Sequence, residues 1–270
     1  MENIRKMSVA GIFYPANATK LKNDINDYIS SSQKESSQPV KFLIVPHAGY
    51  VYSGKIAGEA FSEISGNRYK RVMLLGPSHR AYFENIAESE EDYWESPLGN
   101  VKTDFLNHKS IAKETKYHKN EHCLEVQLPF IKTILPNATI TPLLISGRHS
   151  KAHQYAEILS LFETDDTLWV ISSDFNHVGP NFQHFPSDFG FGSGESMDMQ
   201  AIEHITSGDI KTFSTFLEKT SATICGALPI LVAMHLVKLF NLSGFTFKKY
   251  DCSGNQTKDK NSVGYAALYC

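Results

Sequence analysis

Histidine and cysteine carry the first chemical signal in this chain of 270 residues, which holds 11 histidines and the four cysteines Cys123, Cys225, Cys252 and Cys270. Neutral imidazoles and thiolates are ligands for borderline transition metals, and the same groups act as proton carriers and nucleophiles. Three apolar runs end in a turn of small residues or proline and then a ligand-capable group. Val40 to Val45 leads into Pro46-His47-Ala48-Gly49-Tyr50, and Arg71 to Leu75 into Gly76-Pro77-Ser78-His79. Leu168 to Ile171 leads into Ser172-Ser173-Asp174-Phe175-Asn176-His177. One such histidine is readily explained as a hydrogen-bonded loop residue; three at equivalent places are hard to explain by packing alone. His47 and His79 lie about one strand–helix–strand step apart, which makes neighbouring strand ends plausible, and open α/β sheets bind ligands there.

Cys225 stands in Thr223-Ile224-Cys225-Gly226, just before the apolar stretch Leu228 to Phe240. Pro229 is tolerated only in a helix's first turn, so a buried helix is expected to start between Gly226 and Pro229. A thiol at that start is expected to lean towards thiolate, as a metal ligand or a nucleophile; an inert buried cysteine is the plain alternative. Glu121 and Glu125 fall at i, i+4 with His122 beside the first. On a helix they would present carboxylates and an imidazole near one face, as a substrate grip or a support for ligands, and a solvated helix start accounts for them equally. Pro180 to Glu195, rich in Gly, Phe and Asp, fits a mobile loop over a pocket, and an ordinary loop has the same composition. His108, His118, His149, His153, His184, His204 and His235 have no such context and read as surface or core residues.

The elements that must position these groups alternate along the chain. Leu21, Ile25, Tyr28 and Ile29 mark one helical face, followed by a polar linker, Ser30 to Pro39. A helix with Ser53 as N-cap carries Ile56, Ala57, Ala60, Phe61 and Ile64 on one face. Helical stretches near Leu124 to Leu135 and Ser150 to Phe162 precede the strands Thr139 to Ile145 and Leu168 to Ile171. Phe245 to Asp251 and Ser262 to Tyr269 read as an antiparallel hairpin at an edge. Short buried strands alternating with helices give an α/β fold: one domain, residues 1–270, with a central mostly parallel or mixed sheet flanked by helices.

Composition narrows the partners. With 26 basic and 29 acidic residues the net charge is −3, which leaves no electrostatic footprint for nucleic acid or anionic membranes. No run of about 18 apolar residues exists to span a bilayer. Met1 to Val9 lacks the apolar centre of an export signal, so a cytoplasmic location and free thiols are expected.

The motifs taken in order, Val45-Pro46-His47-Ala48-Gly49-Tyr50 with Tyr52-Ser53-Gly54, Leu75-Gly76-Pro77-Ser78-His79, Glu121-His122 with Glu125 and Leu128-Pro129, Ser172-Ser173-Asp174-Phe175 with His177, and Thr223-Ile224-Cys225-Gly226, resemble the Memo family, from about Gly11 to the C-terminus. The resemblance implies the fold of the class III extradiol dioxygenases and a metal site of His47, His79 and Cys225. It implies that Asp174 and His177 line the pocket, His177 at the acid/base position, with His122, Glu125 and Tyr52 as substrate or supporting contacts. Iron is the implied metal and copper the other candidate, with a small aromatic or diol substrate, or a peptide, in the pocket. AMMECR1-domain and radical SAM proteins are the implied partners. A non-enzymatic binding protein and a hydrolase using Cys225 as nucleophile with His177 or His79 are the alternatives. Two departures stand out. Asn176 and Val178 flank His177 where animal members have Cys and Trp, and Ala227-Leu228-Pro229 follows Gly226 where those members have Arg-His-Pro.

Overall fold

A computed structural model describes residues 2–64, 68–257 and 259–270. At its centre four parallel strands lie in the order Phe42–Val45, Thr167–Ser172, Arg71–Pro77, Thr139–Ser146. Their residues are almost all buried, as strands covered on both faces must be. Successive side chains alternate between two cores. Phe42, Ile44, Met73, Leu75, Trp169 and Ile171 face one, packed by the helix Ala227–Leu239. Leu43, Val45, Val72, Leu74, Leu168 and Val170 face the other, covered by Ala18–Ser30, Tyr50–Phe61 and Leu128–Ile134.

Antiparallel pairing makes the sheet mixed. Asn85–Glu88 extends it beyond Thr139–Ser146 and pairs in turn with Ile111–Lys113. On the other side Ser262–Tyr269 pairs with Phe42–Val45, with Thr246–Cys252 and with His177–Val178. The C-terminal hairpin therefore has only one edge strand: Ser262–Tyr269 is interior, and the connection carries a short helix, Ser253–Thr257. A separate small sheet joins Ile4–Arg5, Tyr93–Trp94 and Val101–Lys102. The α/β class with a mixed central sheet flanked by helices is the observed architecture.

Two local expectations need correction. The second helix starts at Tyr50, with Gly49 rather than Ser53 before it. Its Tyr50 N–H is taken by the carbonyl of Phe13 at 2.7 Å, which does the work of a side-chain cap. Ser53 lies buried inside the helix and donates to the Ala48 carbonyl at 3.0 Å. The expected helix from Leu124 is a turn and a 3-10 segment, Glu125–Gln127, leading into Leu128–Ile134.

Register brings the chemistry together. Val45 lies opposite Ser172, and Leu75 opposite Ile171. The turns bearing His47, His79 and Asp174 thus leave the sheet side by side at the carboxyl ends of parallel strands.

Candidate metal centre

His47 is buried, with its orientation fixed twice. Its backbone N–H donates to Asp174 Oδ1 at 2.7 Å, as does that of Ala48 at 3.2 Å. Its ring Nδ1 lies 3.0 Å from Ser172 Oγ. That hydroxyl donates its one proton to the Cys123 carbonyl and also accepts from Gln127 Nε2. Nδ1 of His47 must therefore carry the hydrogen, and Nε2 presents a lone pair. Nε2 sits 3.2 Å from Cys225 Sγ. Burial, and then the neighbouring His79 and His122, push the imidazole pKa well below its ordinary value, so the ring is neutral.

Glu121 organises the other two imidazoles. Its carboxylate accepts from the backbone N–H and from Nδ1 of His79, at 2.7 and 2.9 Å. It also accepts from the backbone N–H groups of His122 and Cys123, and lies 3.1 Å from His122 Nδ1. Desolvation opposes its charge, but hydrogen bonds from His122 and His79 outweigh it and hold the carboxyl far below the usual range. With Nδ1 of both rings turned to a carboxylate, their Nε2 lone pairs are left free. Ring centroids are 5.2 Å apart for His47 and His79, 5.4 Å for His47 and His122, and 4.8 Å for His79 and His122. One nitrogen from each of the three lies within 4.8 Å of the others. His79, Glu121 and Cys123 form a second close group, though Cys123 Sγ lies 3.2 Å from the Pro77 carbonyl.

Cys225 immediately precedes the helix Ala227–Leu239. Gly226 allows the approach: a Cβ there would lie 2.4 Å from Ser173 Cβ and 2.9 Å from the Ser172 carbonyl oxygen. Sγ accepts from the Asp174 N–H at 3.2 Å. Burial first, and Asp174 second, push the thiol far up, opposing the lean towards thiolate expected from the helix start. Burial likewise raises the Asp174 carboxyl, against the N–H bonds from His47 and Ala48.

His177 borders this cluster. Its Nδ1 lies 3.0 Å from the Phe175 carbonyl and 3.2 Å from that of Thr223; both can only accept, so Nε2 is again the free nitrogen. Thr223 Oγ1 accepts from the His177 N–H at 2.8 Å. Asn176, buried, bridges Asp198 and the Thr223 N–H. Phe182, from the loop expected over the pocket, meets the His177 ring edge-on at 5.2 Å, as Phe13 meets His122 at 4.8 Å.

Residues 5–269 match the Memo-like protein family. This chain belongs to the Memo family. Protein MEMO1 of Xenopus laevis is 30% identical over 97% of this chain and 96% of its own length. A MEMO1 family protein of Nitrosopumilus maritimus (strain SCM1) is 31% identical over 98% of both, and Protein MEMO1 of Homo sapiens is 29% identical over 97% and 96%.

In this Memo chain the structure gathers His47, His79, His122, Cys225, Asp174 and His177 at one sheet end, but not Glu125 or Tyr52; among the described residues the close imidazole set is His47, His79 and His122, and Cys225 approaches it only at His47. Glu125 faces Arg5, Ser8, Val9 and Tyr14. Tyr52 is exposed on its helix. Ala227 and Leu228, which follow Gly226, are buried in the core. Sequence reasoning missed the supports Ser172, Gln127 and Thr223. Ser172 was visible in its motif, whereas nothing near Gln127 announces a role. No helix among the described residues is long and apolar enough to cross a membrane.

Proposed function

We propose that this Memo-family chain is a mononuclear transition-metal protein, holding iron, or else copper, through His47, His79 and Cys225, and that it performs redox chemistry on a small aromatic or diol substrate. One observation carries the reading: His47 Nε2 and Cys225 Sγ stand 3.2 Å apart, with the Nδ1 atoms of His47 and His79 tied to Ser172 and Glu121. Such outer partners fix the tautomer of metal-binding histidines. A donor set of imidazoles and a thiol fits a borderline metal. A bound ion of this kind would supply redox chemistry and a positive charge for a substrate oxygen.

The chain's own residues do the rest. Glu121 prevents His79 and His122 from rotating, and Asp174 clamps the turn that carries His47. His177, with Nδ1 held by carbonyls, offers Nε2 to take a proton from a substrate hydroxyl and return it. Phe13 and Phe182 flank the approach, edge-on to His122 and His177. Metal binding releases the Cys225 proton, so affinity rises with pH. A cytoplasmic, reducing setting keeps that thiol free.

The Cys225–His47 contact also has the form of a nucleophile and base. Here burial opposes both the thiolate and the imidazolium, and His47 Nδ1 meets a hydroxyl rather than a carboxylate, so a hydrolase is disfavoured. AMMECR1-domain and radical SAM partners belong to the same proposal, with copurification as their test. The central experiment is metal analysis of anaerobically purified wild type, His79→Ala and Cys225→Ala. Wild type is expected to hold one equivalent and both variants to lose it; equal metal in all three, or none in any, sinks the centre. A metal-loaded wild type that turns over no diol would favour a binding protein.

A further inference from the structure

A groove of about 760 Å³ that shares no residue with the centre runs between the helices Ala152–Ser160, Ile210–Thr220 and Ala227–Leu239. His149, His153 and His235 line it, three of the histidines that carry no context in the sequence. His149 opens the 3-10 segment His149–Lys151 and His153 lies in the first turn of the α-helix that continues it, four residues on. His235 comes from the neighbouring helix. Its ring lies 5.0 Å from that of His153 at an interplanar angle of 78°. The pair repeats the geometry of His47 and His79, 5.2 Å and 85°.

Glu157, one helical turn beyond His153, places an exposed carboxylate oxygen 3.6 Å from its Nδ1. No protein group among the described residues hydrogen-bonds to the ring of His149 or His235. Asp209 and Glu218 add negative charge to the same walls, against Lys211 and Lys238. Burial, with His153 and Lys238 beside it, lowers the His235 pKa and keeps that imidazole neutral.

We propose that this groove is a second transition-metal site, in which His153 and His235 bind a Zn²⁺-class cation and His149 turns in to complete the set. The close donor groups among the described residues all lie at the centre, so the groove site assembles around its ion and binds more weakly than the centre. Its occupant would clasp the helix that carries Cys225 at its start to the helix Ala152–Ser160.

The test is equilibrium dialysis of the full chain against micromolar free Zn²⁺, comparing wild type, His153→Ala/His235→Ala and Cys225→Ser. Wild type is expected to retain one equivalent more than the double variant, and Cys225→Ser to keep the groove's equivalent. Equal zinc in wild type and in a double variant of unchanged melting temperature overturns the proposal. Should the double variant fail to fold, His153→Gln, at an exposed position, is expected to lower zinc retention alone, and unchanged retention is equally fatal. Because the proposal does not depend on the centre, the Cys225→Ser arm reports separately on each site.

Discussion

Glu121→Gln is the sharpest test of how the centre is held. The carboxylate accepts at 2.7 Å from the His79 N–H, at 2.9 Å from His79 Nδ1, and at 2.9 and 3.2 Å from the His122 and Cys123 N–H groups. All but the first of these end on Oε1, so an isosteric glutamine places its carbonyl oxygen there and its amide group where Oε2 was. The amide cannot accept, and the His79 N–H then faces another donor. Leaving one buried donor unpaired costs about 1–3 kcal/mol. The remaining carbonyl is neutral, so its bonds to both rings also weaken, roughly halving charge-assisted bonds. Loss of such an outer partner lowers metal affinity about 10–100-fold, or about 1.4–2.7 kcal/mol. Competition of each protein against a chromophoric chelator measures this directly, with circular dichroism to confirm the fold. A folded Glu121→Gln protein with the wild-type affinity would refute the role given to this carboxylate.

Two further predictions concern the frame around it. Arg5 lies buried, bonded to Glu125 at 2.7 Å and to the Glu121 and His118 carbonyls at 2.6 and 2.9 Å, over the Trp94 ring. Arg5→Ala leaves Glu125 charged without its cation and is expected to cost about 3–5 kcal/mol in urea unfolding; a change within about 0.5 kcal/mol, as at ordinary surface sites, would contradict it. His118 is buried with Nε2–H donating to the Ala87 carbonyl and Nδ1 unpaired, and burial lowers its pKa to about 3. The unfolded chain therefore takes up a proton near pH 6.5 that the folded chain refuses. This contribution to stability is complete above pH 6.5 and is lost as pH falls towards 3. Between pH 7 and pH 5 the loss is about 2 kcal/mol. His118→Gln, which keeps a donor for Ala87, is expected to remove that slope from the stability–pH curve, and an unchanged slope would show that another group sets it.

Which parts of the centre could be read from the sequence follows from where the information resides. His47, His79 and Asp174 were legible because each directly follows a buried parallel strand, and parallel register leaves such turns little freedom: Val45 must lie near Ser172 and Leu75 near Ile171. Pro229 announced the helix start beside Cys225 by a local rule. The failures share a different origin. Glu121 and Glu125 look equivalent at i, i+4 only if the chain between them is helical. The turn that precedes Glu125–Gln127 instead sends one carboxylate to the imidazoles and the other to Arg5. Gly49 in place of Ser53 before the second helix depends on a carbonyl from Phe13, distant in sequence.

The state of Cys225 turns on magnitudes that only the fold supplies. A helix start favours an anion by about 0.3–1 kcal/mol. Full burial shifts a titrating group by up to about 3–5 units, each unit about 1.4 kcal/mol. Once the thiol is buried against Asp174, the dipole cannot decide its charge. The cation proposed among His47, His79 and Cys225 would do so, and that is why the same burial that argues against a free thiolate nucleophile is compatible with a metal ligand.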